Sequence, residues 1–155
     1  MMNRASSCLL LSIACVVSVG ACASGGGVSK PDESTATAKL AGTSWTVEDV
    51  SGQAVIDKTQ TALRFEADGR VSGSTGCNSY TGTATIKTRD LTFSPLATTR
   101  LACLPESMDQ EQRLMKAMEA VRSYSVDSGG ELQLLDANGN PLLRLSPSNP
   151  AGDRR

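Results

Sequence analysis

Between residues 40 and 146 apolar positions alternate with polar ones over short stretches, and turn residues interrupt the alternation repeatedly. Trp45 and Val47, running on to Asp49 and Val50, mark a first strand, and Leu63 with Phe65 mark a second. A period of two is what a sheet with one buried face imposes. Val71 resumes the pattern after Asp68-Gly69, a pair that tolerates the positive φ angles of tight hairpin turns. Thr83 to Lys87 and Leu91 to Phe93 give two more strands around Arg89-Asp90, with Ile86, Leu91 and Phe93 as core candidates. Leu132 and Leu134, then Asp136-Ala-Asn138-Gly-Asn140, then Leu143 and Leu145 predict another hairpin. The sheet is expected to be antiparallel throughout.

One segment changes period. From Ser107 to Tyr124 the apolar residues Leu114, Met115, Met118 and Val121 recur at three- and four-residue spacing, with charged residues on the other faces. This predicts one amphipathic helix, opened by a capping box of Ser107 and Gln110, with Pro105 just ahead. Asp109 and Glu111 suit the positive end of its dipole as solvated acids. Its Met-rich stripe reads as core packing against the sheet. Strands with one helix predict a single α+β domain over residues 40–146, a curled antiparallel sheet packed with the amphipathic helix.

The residues before the domain carry an address. Met1 to Arg4 is a short basic stretch, and Ala5 to Val19 is an uncharged run of about 15 residues, a signal-peptide core too short for the roughly 20 of a permanent span. It ends in Val19-Gly20-Ala21-Cys22, which resembles the bacterial lipoprotein lipobox. That resemblance implies a signal peptide over 1–21, lipid on Cys22, and, with Ala23 rather than Asp following, an outer-membrane anchor facing the periplasm. An ordinary secretory site at Ala21-Cys22-Ala23 is the alternative. Residues 23–39 hold Val28 as their one large apolar side chain and read as a tether with a root-mean-square reach of roughly 20 to 25 Å. Residues 147–155 read as a frayed polar tail.

Of five cysteines, Cys8, Cys15 and Cys22 lie in the leader and only Cys77 and Cys103 in the domain. Export places that pair in an oxidising compartment, where a disulfide is the default. No Cys-x-x-Cys pair and no histidine occur, so zinc, redox and reactive-thiol readings have little support. Without histidine there is no Ser-His-Asp or Cys-His arrangement. Glu66 with Asp68, and Asp109 with Glu111, leave a carboxylate-using hydrolase of cell-wall or glycan substrate as the enzymatic alternative. The loop at Asp136 imitates the start of a calcium-binding loop but has Pro141 and Pro147 where glycine and glutamate are needed. Lys and Arg total 15 against 16 Asp and Glu, without like-charge runs, which argues against nucleic acid as a partner.

The stretch Gly73-Ser-Thr-Gly76-Cys77-Asn78-Ser-Tyr80-Thr-Gly82, followed by Leu91-Thr-Phe93 and Thr98-Thr99-Arg100-Leu-Ala-Cys103, resembles the META domain, also called the HslJ-like family of bacterial heat-shock lipoproteins. Trp45 near the domain's start, Phe65 before the Asp-Gly turn and the Leu-x-Leu, Gly, Leu-x-Leu ending agree with it. The residues that carry the resemblance most specifically are Gly76, Cys77 and Asn78 with Thr99, Arg100 and Cys103. It implies a fold and a context rather than a reaction, and the favoured expectation beside it is a noncatalytic, monomeric envelope module with no cofactor, engaging an envelope protein or apolar ligand. It also implies association with envelope or heat stress and with tolerance of the antibiotic novobiocin. Glycines 73, 76 and 82 read as bends or close approaches, and Asn78 as a bend-stabilising side chain. For Arg100 the residues leave a buried ion pair and an exposed position equally open.

Overall fold

The computed structural model describes residues 40–58 and 60–148. The leader, Cys22, the tether and residues 149–155 lie outside these described residues. Ten strands and one helix follow in order: β1 (Thr43–Val50), β2 (Gln53–Ala54), β3 (Thr61–Phe65), β4 (Arg70–Thr75), β5 (Ser79–Lys87), β6 (Asp90–Phe93), β7 (Ala97–Thr98), α1 (Pro105–Ala120), β8 (Ser123–Val126), β9 (Leu132–Leu135) and β10 (Pro141–Pro147). Every pairing is antiparallel.

The α+β expectation of a curled sheet is overturned. β10 pairs with β1, from Trp45 opposite Pro147 to Val50 opposite Leu143, and this closes eight strands into a barrel. A mostly β barrel with one helix is therefore the architecture. Closure joins the two ends of the domain, a contact that hairpin signals do not encode, and it pairs the β1 and β10 edges that an open sheet would expose. Where the sequence reading began the tail at Pro147, that residue still belongs to β10, and Ser148 donates its N–H to the Ser44 carbonyl at 2.9 Å.

Alternation explains the interior. Leu63 and Phe65, Leu132 and Leu134, Leu143 and Leu145 are buried, while their neighbours along each strand are not. An eight-stranded barrel is just wide enough for side chains of this kind to fill its interior. Phe65 and Phe93 pack tilted with ring centroids 6.2 Å apart. The buried Tyr80 lies across Gly73 and donates its hydroxyl to the Ala62 carbonyl at 2.8 Å. Burial pushes its phenol well above the ordinary value.

The ladder is uneven. β3 and β4 share five residue pairs, from Thr61 opposite Thr75 to Phe65 opposite Val71, whereas β6 and β8 share one, Asp90 opposite Ser123. α1 packs against β1, β4, β6 and β10, burying Gln110, Leu114, Ala117 and Met118. The helix differs from its prediction at both ends. Leu104 occupies the cap position without a side-chain cap bond and Pro105 is already helical, so the Ser107–Gln110 capping box does not form. At the other end Val121 and Tyr124 continue the helical spacing, but the chain leaves the helix at Val121 and Tyr124 belongs to β8. Of the Met-rich stripe Leu114, Met118 and Val121 are buried in the core and Met115 is half-buried against it, while Met108, outside the stripe, is exposed. Among the described residues no helix is long and apolar enough to cross a membrane.

A Cβ at Gly73 would lie 2.1 Å from the Ala62 carbonyl oxygen and 2.4 Å from the Tyr80 ring. Gly73→Ala is therefore expected to cost about 2 to 3 kcal/mol in urea unfolding, with a loss below about 0.5 kcal/mol contradicting this packing.

Candidate functional site

The β4–β5 turn, residues 75–78, gathers the polar interior. Among the described residues the buried polar side chains are Thr61, Thr75, Asn78 and Gln110, and all four belong to one network. Gly76 turns the chain at φ 97°, where a Cβ would press against Gln110 Nε2 at 3.1 Å and Thr61 Oγ1 at 3.3 Å. Asn78 then points inward. Its Nδ2 donates to Glu111 Oε2 at 2.9 Å, and its Oδ1 accepts from the Thr99 hydroxyl and the Leu101 N–H, both at 2.8 Å. One carboxamide thus ties the turn to α1 and to the loop between β7 and α1.

Thr75 completes the tie. Its hydroxyl accepts from the Asn78 N–H at 2.9 Å and lies 2.9 Å from Glu111 Oε2 and 3.1 Å from the Asn78 carbonyl. Its single proton goes to the carboxylate, the stronger acceptor, since that carbonyl already receives the Thr75 N–H at 2.8 Å. Gln110 uses its amide in the same way. Its oxygen accepts from the Ile56 N–H at 2.7 Å, and its nitrogen donates to the Thr75 carbonyl at 2.7 Å and to Thr61 Oγ1 at 3.2 Å. A helix that starts without a cap is thereby fixed to the barrel by two consecutive side chains, Gln110 and Glu111.

Cys77 and Cys103 are joined in a disulfide with Cα atoms 6.3 Å apart, which links the same turn to the same loop. Residues 99–104 have no regular secondary structure. Besides the disulfide and Asn78, a Thr99 N–H to Ser79 carbonyl bond of 3.0 Å and a Ser79 N–H to Thr99 Oγ1 bond of 3.1 Å hold them. Five of the six motif residues therefore meet at one place. Arg100, the sixth, is exposed, and it lines a cavity instead of pairing inside.

That cavity, of about 540 Å³, lies between the loop and α1 and is walled by Asn78, Arg100, Leu101, Met108, Glu111 and Met115, among others. A second cavity of about 660 Å³ continues along α1 between Met115, Lys116 and Glu119 on the helix and Phe93, Pro95 and Leu96 on the sheet edge. Gln112 and Met115 belong to both, so the two make one groove along the helix. Leu101 and Met108 stand 62% and 54% exposed at its mouth. Such a surface can hold an apolar or peptide-like ligand.

The acids read as hydrolase candidates do not face one another as a free pair. Glu66 accepts from Arg64 at 3.0 Å and Asp68 from Arg70 at 2.7 Å, both on the surface. Asp109 and Glu111 both line the first cavity, but Glu111 Oε2 is engaged by Thr75 and Asn78. Asp136 closes its own turn, accepting from the N–H groups of Asn138 and Asn140 at 2.8 Å. Among the described residues no group of three His, Cys, Asp or Glu is placed to hold a metal ion. Sequence reasoning missed Gln110 and Glu111 as network members, having placed them as cap and solvated acid. The signal available was their position three and four residues before the buried Leu114 and next to it on the helix.

A family model described as META domain matches residues 38–149. Among solved structures, an NMR structure of a protein from Burkholderia xenovorans is similar at 25% identity and TM-score 0.60, covering 81% of this chain and 97% of that one. A crystal structure of a DUF4847 family protein from Bacteroides vulgatus shares the fold at 17% identity and TM-score 0.53, covering 69% of this chain and 93% of that one. The chain finds no significant match among curated proteins.

For protein matured in an oxidising compartment, titration in denaturant is expected to find no free thiol on Cys77 or Cys103. Reduction is expected to lower urea stability by about 3 to 4 kcal/mol through loss of the loop constraint. Two free thiols, or unchanged stability on reduction, would contradict the clamp.

Proposed function

We propose that this chain, which belongs to the META domain family, works as a noncatalytic module of the cell envelope that engages a protein or apolar ligand through the groove along α1. In this reading it is an outer-membrane lipoprotein held by lipid on Cys22, faces the periplasm, and contributes to survival of heat or envelope stress and of novobiocin. The observation that carries the binding role is the pair Leu101 and Met108, large apolar side chains left 62% and 54% exposed where the groove opens. Apolar surface held outward by a buried network and a disulfide is more costly than a collapsed loop, which favours a use for it. The groove mixes apolar side chains such as Leu101, Met108, Met115 and Phe93 with charged ones, and Glu111, bound to Thr75 and Asn78, is not free as an acid or base, which suits binding better than acid–base chemistry. Support for the anchor comes from the Val19-Gly20-Ala21-Cys22 segment and the polar residues after it.

In a deletion strain of the source bacterium, the wild-type gene is expected to restore growth at elevated temperature and in novobiocin. A Leu101→Glu, Met108→Glu double variant should restore neither while reaching wild-type abundance in the membrane fraction, and Cys22→Ala should move the protein to the soluble fraction. Full rescue by the double variant would remove the groove from the function, and membrane retention of Cys22→Ala would remove the lipid.

A further inference from the structure

The sheet wall of the groove is a strand edge with free backbone groups. Ser94 donates its N–H to the Thr83 carbonyl at 2.9 Å and Thr99 donates its N–H to the Ser79 carbonyl at 3.0 Å, so these residues turn their backbone bonds toward β5. Phe93 lies opposite Ala84 and Thr98 opposite Tyr80, the alternate, non-bonded pairs of those ladders. Their N–H and C=O groups therefore point away from β5. Leu91, in the same phase as Phe93, shows where such groups go when a partner exists, because its N–H reaches the Arg122 carbonyl at 3.0 Å. Beyond that point the chain facing β6 is the C-terminal end of α1 rather than a strand, and among the described residues no hydrogen bond from another element reaches the backbone of Phe93 or Thr98. Both residues line the second cavity.

We propose that this β6–β7 edge takes an extended, uncharged peptide segment of a partner protein as an added strand between β7 and α1. The proposal deepens the reading of the groove as a binding site and rests on it. Outward groups at Phe93 and Thr98 are spaced roughly 15 Å apart along the edge, the length of a short strand. Amide donors and acceptors in that spacing are matched by another backbone and by few other ligands. Pro95 has no N–H and interrupts the edge, so pairing falls at its two ends. On the far wall Met115 offers an apolar contact to alternate side chains, and the Gln112 carboxamide can bond the incoming strand's outer edge. Lys116 and Glu119 offset each other on that wall, which suits a segment without charge of its own.

The test is selection from a displayed library of octapeptides lacking Asp, Glu, Lys and Arg, with the strongest binder then synthesised and added to the isotope-labelled protein. Enriched sequences should alternate apolar and polar residues, and saturation should slow amide exchange at Phe93 and Thr98 by about tenfold or more. Thr98→Pro, which removes an N–H that β5 does not use, should weaken binding about tenfold, and backbone N-methylation of the peptide should do the same to the wild-type protein. A peptide that contacts Met115 yet binds undiminished after N-methylation and in Thr98→Pro overturns strand addition and leaves the groove reading standing. Absence of any enrichment overturns strand addition, and rescue by the Leu101→Glu, Met108→Glu variant is what separately removes the groove. Protection of the same two amides by concentration alone, with dimer in solution, assigns the edge to a second copy and overturns the proposal.

Discussion

The Asn78 side chain is the constraint on which the rest of the site depends. A buried carboxamide offers two donors and an acceptor, and leaving them unmet costs about 1 to 3 kcal/mol each. Here the acceptor takes the loop through Thr99 and Leu101 while a donor takes the helix through Glu111. Turn, loop and helix therefore cannot move independently without exposing a buried polar group to an apolar interior. The neighbouring disulfide works on two of these segments, turn and loop, by a different route. It chiefly narrows the unfolded ensemble, whereas Asn78 fixes the geometry of the folded one.

The barrel supplies the frame against which this knot is rigid. Closure between β1 and β10 brings the ends of the domain together and leaves the sheet's weak point elsewhere, at the single β6–β8 pair. α1 packs against β1, β4, β6 and β10 and its side chains cover part of the interior. Along the β6–β7 edge the helix stands off from the strands, and the groove is what remains. Its two walls are then a strand edge and a helix face, one rich in backbone groups and the other in side chains.

Period-two alternation made most strands legible, because inward and outward positions differ in burial and therefore in residue type. Leu63 and Phe65, or Leu143 and Leu145, announce their face without any knowledge of neighbours. Closure was not legible, since Val47 facing Leu145 looks the same in sequence whether the ends of a sheet meet or not. β8 was absorbed into the helix because Val121 and Tyr124 extend its spacing, and propensity alone does not report where tertiary packing stops a helix. In the site, the motif residues drew notice and Asn78 was read as a bend residue. Its actual partners lie 21 to 33 residues away. Gln110 and Glu111 looked like ordinary first-turn polar residues because a side chain serving a distant turn has the same composition as one serving water.

The most direct measurement of this account is native-state hydrogen exchange on Asn78→Ala beside the wild type. Loss of the carboxamide is predicted to remove protection at the Leu101 amide, which loses its acceptor, and to weaken the first turns of α1, while Leu63 and Val71 in the barrel keep theirs. Uniform loss across barrel and helix, or unchanged protection at Leu101, would contradict the claim that this side chain holds loop and helix to the barrel.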